Sequence, residues 1–157
     1  MDYHLSPKEH AALGTLARSL DCGRVRIYRS NARGLWRAVR ALVLGLSGGR
    51  AVTLGNQIYL PDLHTEDLAL LAHEVTHCQQ FQRWGALRYF GRGAVTQIRD
   101  LVHRTMRIGP SPYSYQGLPE RTFHSYGMEQ QAQIVEDCFR GYSPARTICP
   151  YGPGNEV

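Results

Sequence analysis

Residues 68–85 read LALLAHEVTHCQQFQRWG, and His73-Glu74-Val75-Thr76-His77 within them is an HExxH pattern. On an α-helix, side chains four residues apart stand side by side on one face. Two imidazoles at that spacing can bind one zinc ion from a single helix. Glu74 follows the first imidazole directly, so it reaches a metal-bound water without becoming a ligand. It can take a proton from that water and deliver it to a leaving amine. Leu68, Leu71 and Val75 supply the apolar side of this helix. His73, His77, Gln80 or Phe81, and Trp84 are expected on a polar strip opposite.

A zinc site of this kind needs a third protein ligand and one open position. The metzincin continuation, a Gly three residues and a His six residues past the second ligand, is replaced here by Gln80 and Arg83. The third ligand must come from further along: His103, His124, Glu129, Glu136 or Asp137. Glu129 is favoured. It opens a helix whose inner stripe is Met128, Ala132, Val135 and Phe139, which sets its side chain at the edge of the buried face. Small Ala132 lets two helices approach closely. Glu136 shares that edge and, with Asp137, is placed to orient a ligating histidine. A donor to developing negative charge is expected among Tyr113, Tyr115, His124 and Tyr126, with Tyr126 and His124 taken as the catalytic candidates.

Outward from the motif, the pattern predicts an α+β chain, strands early and helices late. Ser6-Pro7-Lys8-Glu9 is a capping-box helix start, with a helix to about Leu20. Val25–Tyr28 alternates as a half-buried strand does. Leu35, Val39, Leu42, Val43 and Leu46 recur at helical spacing. Two β-rich runs flank Gly55-Asn56 as a hairpin. The motif helix is expected from Thr65 to Gly85, and another from Ala94 to Arg107 with Val95, Ile98, Val102 and Met106 as its buried stripe. Residues 109–121 read as a loop, Gly127–Arg140 as a helix, and 142–157 as an irregular tail. One domain over 1–157 is expected, with its core at 25–141.

The run LLAHEVTHCQQFQRWG, preceded by AVTLGNQIYLP and followed by MEQQAQIVEDC, resembles the metallopeptidase domain associated with bacterial contractile injection systems. It is similar also to the metallopeptidase toxin domains fused to type VI secretion spike proteins of the VgrG kind. The likeness spans roughly Val25 to Arg140. It implies a zincin-like fold of the gluzincin type, mainly helical, with a small sheet flanking the HExxH helix. It implies Zn²⁺ held by His73, His77 and Glu129, with Glu74 as the base. It further implies an effector acting on a protein or peptide substrate, with a secretion spike protein and an immunity protein as partners. Delivery would be from the bacterial cytoplasm into a target periplasm. The chain departs from broader Glu-ligand zincins at Gln133, where those often carry Asp.

Composition narrows the field further. The 157 residues carry a net charge of +5, are 43% hydrophobic and 20% charged, and have a pI near 9.2. That excludes polar-disordered and collagen-like chains. No apolar run approaches the roughly 18 residues of a membrane span, and MDYHLSPKEH lacks the basic-then-apolar order of a signal peptide. Lys8 is the only lysine among 18 basic residues. Arg88, Arg92, Arg99, Arg104 and Arg107 cluster after the motif, which raises a DNA-associated metalloprotease of the SprT kind as an alternative. Such a run is more often a solvated face, so nucleic acid is the weaker expectation. A catalytically silent zincin-fold module of an injection particle is the other alternative, and Glu74 weighs against it. Cys22, Cys78, Cys138 and Cys149 form no CxxC or zinc-ribbon spacing, which leaves their redox state open.

Overall fold

The computed structural model describes residues 3–64, 66–106, 114–115 and 122–152. Tyr113, Arg107 and most of the 109–121 segment lie outside the described residues. Ser6 caps α1 (Pro7–Leu13): its hydroxyl accepts from the Glu9 N–H, and Glu9 accepts in return from the Ser6 N–H at 2.8 Å. The helix expected to run on to Leu20 is interrupted at Gly14, and α2 (Thr15–Arg18) follows it.

Three short strands form the sheet: β1 (Arg26–Tyr28), β2 (Val52–Leu54) and β3 (Gln57–Tyr59), in the order β1-β3-β2. β1 runs parallel to β3, and β2 and β3 form the expected hairpin through Gly55-Asn56. Ile27, Ile58 and Thr53 stand opposite one another across the sheet. Directly paired residues share a face, so these three side chains point the same way. Ile27 and Ile58 go into the core, and Thr53, on the edge strand, ends at the rim. Leu13, Leu16, Val25, Val75, Ile134 and Val135 complete that core. Each such side chain contributes roughly 1.5–3 kcal/mol on burial.

α3 (Leu35–Leu46) precedes the hairpin and contains no buried residue. α4 (Leu68–Met106) carries the HExxH pattern and is interrupted at Gly85, where φ is 76° and ψ is 165°. That backbone region is essentially closed to residues with a Cβ, so the glycine permits a turn between two helical halves. The sequence pattern leaves 86–93 unassigned between its two expected helices; the structure resumes the helix directly. Two further glycines, Gly91 and Gly93, hide the helical pattern of 86–93. The expected buried stripe of this second half is corrected in part: Val95 and Ile98 are exposed, while the side chains of Val102 and Met106 lie outside the described residues.

α5 (Met128–Phe139) packs along α4, the most extensive pairing between elements. Its first turn is closed by Gln130, whose Oε1 accepts from the Gly127 N–H at 3.0 Å. The tail is not wholly irregular, since α6 (Ser143–Ile148) lies within it. Pro144 in the first turn suits a helix start, and Ala145 and Cys149 pack this turn into the core. No helix among the described residues is long and apolar enough to cross a membrane.

Candidate metal centre

Asp67 caps the N-terminus of α4, accepting from the Leu70 N–H at 3.0 Å. The helix begins at Leu68, after Glu66 and Asp67, and the motif falls in its second and third turns; Thr65, the expected start, lies outside the described residues. Packing between the sheet and α5 buries this stretch on every side: His73, Glu74, His77 and Gln80 are all buried. The expected polar strip faces protein and a cleft, which His73, Glu74 and His77 line.

His73 Nε2 lies 3.8 Å, and His77 Nε2 3.4 Å, from the same oxygen, Oε2 of Glu129. One ligand atom from each of the three residues falls within 4.8 Å of the others. Two elements supply the set: α4 gives both imidazoles on consecutive turns, and α5 brings the carboxylate in its first turn. Zinc ligands about 2.0–2.1 Å from a tetrahedral ion stand roughly 3.4 Å apart, close to the two histidine–carboxylate separations. The donor chemistry, two imidazoles and a carboxylate with no thiolate, is that of a zinc site that keeps a fourth position open.

The far ring nitrogens are oriented by other side chains. Nδ1 of His77 lies 2.9 Å from Gln80 Oε1. An amide oxygen only accepts, so Nδ1 carries the proton and Nε2 is left as the free donor of electrons. Gln80 Nε2 in turn donates to the Met128 carbonyl at 3.0 Å, tying this histidine to the start of α5. Nδ1 of His73 lies 3.0 Å from Glu136 Oε2, a contact of charge and not an aligned hydrogen bond. Arg140 holds Glu136 at 2.9 Å and also reaches Asp67 at 2.9 Å. The cap of α4 and the end of α5 are therefore clipped together beside the site.

The field within the cluster is strongly negative. Burial opposes protonation of His73, yet Glu129, Glu136 and Glu74 outweigh it and push the imidazole up to about 10. His77 moves upward for the same reason, chiefly against its burial and through Glu129. Burial raises the Glu129 carboxyl, but the two histidines overcome this and hold it well below the usual carboxylate range. Such a cluster attracts positive charge, and the residues fit a dication.

Glu74 lines the same cleft, of about 620 Å³, with His73, His77 and Glu129. Its Oε2 accepts from Thr53 Oγ1 at 2.6 Å. The edge strand thereby fixes one carboxylate oxygen and leaves the other to the cleft. Across the cleft stands Tyr89, on the second half of α4. It is buried, its ring lies 6.5 Å from that of His77, and its hydroxyl donates to the Thr53 carbonyl at 3.0 Å. Burial above all, with nearby Cys78, Glu74 and Glu129, pushes the Tyr89 hydroxyl above the ordinary phenol range, so it stays a donor.

The other residues singled out from the sequence go elsewhere. His124 and Tyr126 do not line the cleft. His124 sits exposed on the Phe123–Ser125 turn, its Nδ1 3.4 Å from Arg83 Nη1, in a separate hollow with Arg18, Asp21 and Tyr151. Tyr126 is buried in the core with its ring against Tyr115. Tyr115 donates to Asp137 at 2.7 Å, and neither lines the cleft, nor does His103. Arg88 and Arg92 are exposed, with Arg92 stacked over Trp84 at 4.4 Å. All four cysteines are free thiols, and only Cys22 is partly exposed. Thr53, Gln80 and Tyr89 were not among the residues the sequence reading assigned to the chemistry. Gln80 carried a signal, one turn after the second histidine; Thr53 and Tyr89 are brought in only by the sheet register and the turn at Gly85.

Residues 15–85 match the family described as the eCIS core domain. The match covers less than half the chain, runs from α2 through the HExxH turns and stops at Gly85. It associates the protein with extracellular contractile injection systems. No curated protein and no solved structure matches the chain.

Proposed function

We propose that this chain is a zinc metallopeptidase of zincin-like fold, serving as an effector of a contractile injection system. One observation carries the reading: two imidazoles and a carboxylate from different helices converge with their metal-side atoms on one point, and a buried glutamate stands beside them in an open cleft. His73, His77 and Glu129 are the residues that would hold the ion. Zinc bound there would supply Lewis acidity toward a peptide carbonyl and lower the pKa of water.

The rest falls to the chain's own groups. Glu74, steadied by Thr53 at one oxygen, accepts the proton of the attacking water at the other and passes it to the leaving nitrogen. Gln80 and Glu136 keep the two imidazoles in the orientation that directs Nε2 inward. The edge strand β2 borders the cleft, where an extended peptide can lie along it. The family match supports association with an injection apparatus. A protein or peptide substrate, a spike protein, an immunity protein and action in a target periplasm belong to the same proposal.

The test is metal analysis with a peptide-hydrolysis assay. The expected result is one zinc per chain, lost in His73→Ala. Glu74→Gln should retain the metal and lose about 10²- to 10⁴-fold in rate, the usual weight of a general base. A folded, metal-loaded wild type that cleaves nothing Glu74→Gln does not also cleave would favour a silent module of the particle.

A further inference from the structure

α3 is attached to the body of the protein in an unusual way. Its contacts include an aromatic stack and a cation: Trp36 lies 4.8 Å from the ring of Tyr28, and Arg40 donates to the Leu60 carbonyl and pairs with Asp62. These hold the Trp36–Arg40 side of the helix. Leu35, Val39, Leu42 and Leu46, at i, i+4, i+7 and i+11, occupy the adjoining stripe. Leu35, Leu42 and Leu46 are 73%, 64% and 82% exposed. Singly exposed leucines need no explanation, but a helix-long stripe of them does.

Asp62 meets α3 through Arg40, and the charges that α3 itself carries, Arg37 and Arg40, are all positive. From Cys22 to Pro61 the chain contains seven arginines and not one Asp or Glu. Arg33 and Arg37 are exposed beside α3, and Arg50 follows its end. The second half of α4 repeats the pattern, with Leu87, Val95 and Ile98 exposed alongside Arg88 and Arg92, and no acidic residue between Val75 and Arg99.

We infer that α3 docks on an anionic lipid bilayer, lying in the interface with its leucine stripe down. A helix of 12 residues, about 18 Å long, with leucines on one side and Arg37 on the opposite, exposed side, has the composition of an interfacial helix, whose polar face carries its basic residues. Leucine side chains gain from acyl chains what they cannot gain from phosphate alone, and the arginines gain from the headgroups. A second copy of the chain is a poorer occupant. A two-fold contact on this stripe would bring the exposed Arg33 and Arg50 of two copies together with no carboxylate on the helix to offset them. Residues Ser47, Gly49 and Arg50, which close α3, also line the metal-site cleft. A bilayer under α3 therefore lies beside the cleft mouth. Docking is independent of hydrolysis and does not require the cleft to be catalytic.

The experiment is vesicle co-sedimentation of the full chain with phosphatidylcholine alone and with phosphatidylcholine mixed with phosphatidylglycerol. Binding to the mixed vesicles only, weakening as salt rises, is expected. The double variant Leu42→Glu, Leu46→Glu changes two exposed side chains. It should keep its circular dichroism spectrum and zinc content while losing binding by about tenfold or more. Arg37→Glu should weaken binding in the same direction with the leucines intact. The inference is overturned if the wild type stays in the supernatant with anionic vesicles, or if the folded double variant binds as well as wild type. It is equally overturned if sedimentation shows a dimer that the double variant abolishes.

Discussion

The chemistry proposed for the cleft depends on a few side chains being held still, and Gln80 is the clearest of them. Its amide oxygen selects the Nδ1-protonated form of His77, while its amide nitrogen reaches the α5 backbone. Gln80→Leu should lower zinc affinity about 10- to 100-fold, read by chelator competition, with helix content unchanged. Thr53 and Tyr89 act on the other side. The Tyr89 hydroxyl occupies a carbonyl in the middle of the edge strand, which a peptide laid on that strand must contest. A neutral hydrogen bond is worth roughly 1 kcal/mol net. Tyr89→Phe should therefore raise kcat/KM on an extended peptide by about two- to tenfold in steady-state assays. These residues show what sequence spacing can and cannot deliver. His73, His77 and Glu129 were legible because helical geometry makes i and i+4 neighbours and because an apolar stripe fixes which side of α5 is inward. Tyr89 and Thr53 have no such local mark. They meet the site because the chain turns at Gly85 and because the β2–β3 register points Thr53 inward.

At the level of elements, the break in α4 decides where the second half of that helix stands. The space around a Cβ at Gly85 is open, so substitution there costs backbone strain alone. Gly85→Ala should lower stability by about 1–3 kcal/mol in urea unfolding and displace Tyr89 from the edge strand. The start of α4 is governed by Asp67, which caps it and pairs with Arg140 of α5. Burial works against ionisation of Asp67, but the Leu70 N–H and the Arg140 guanidinium hold its carboxyl below the ordinary value. A depressed carboxylate stabilises the fold fully above its unfolded pKa, near 4, and that contribution is lost as pH falls through the lower folded value. Asp67→Asn keeps the cap and should flatten this part of the acid limb in a melting-temperature profile. The sequence announced α3 as amphipathic with equal clarity, yet periodicity reports only that one face is apolar. It does not say what covers that face, and the structure leaves it to solvent. Val95 and Ile98 teach the same lesson on the second half of α4. The tail was misread because three prolines mask a helix start that Ser143-Pro144 makes favourable.

For the molecule as a whole, the cluster of His73, His77 and Glu129 is the point where α4 and α5 are joined by charge. A cation bound there stabilises the folded state by mass action. At a hundredfold excess over Kd the gain is about 3 kcal/mol, or roughly 5–10 °C in Tm for a chain of this size. Calorimetry with and without chelator should show that shift in wild type and its absence in His73→Ala. A three-stranded sheet with β2 at its margin also carries a hazard unrelated to catalysis. Uncapped edge strands template pairing between copies of the same chain. On the proposed reading, an effector packed in many copies before release would meet that hazard at its most acute. The Tyr89 hydroxyl occupies the Thr53 carbonyl from within the chain, so the contact that an incoming substrate strand would have to contest would also oppose pairing between stored copies.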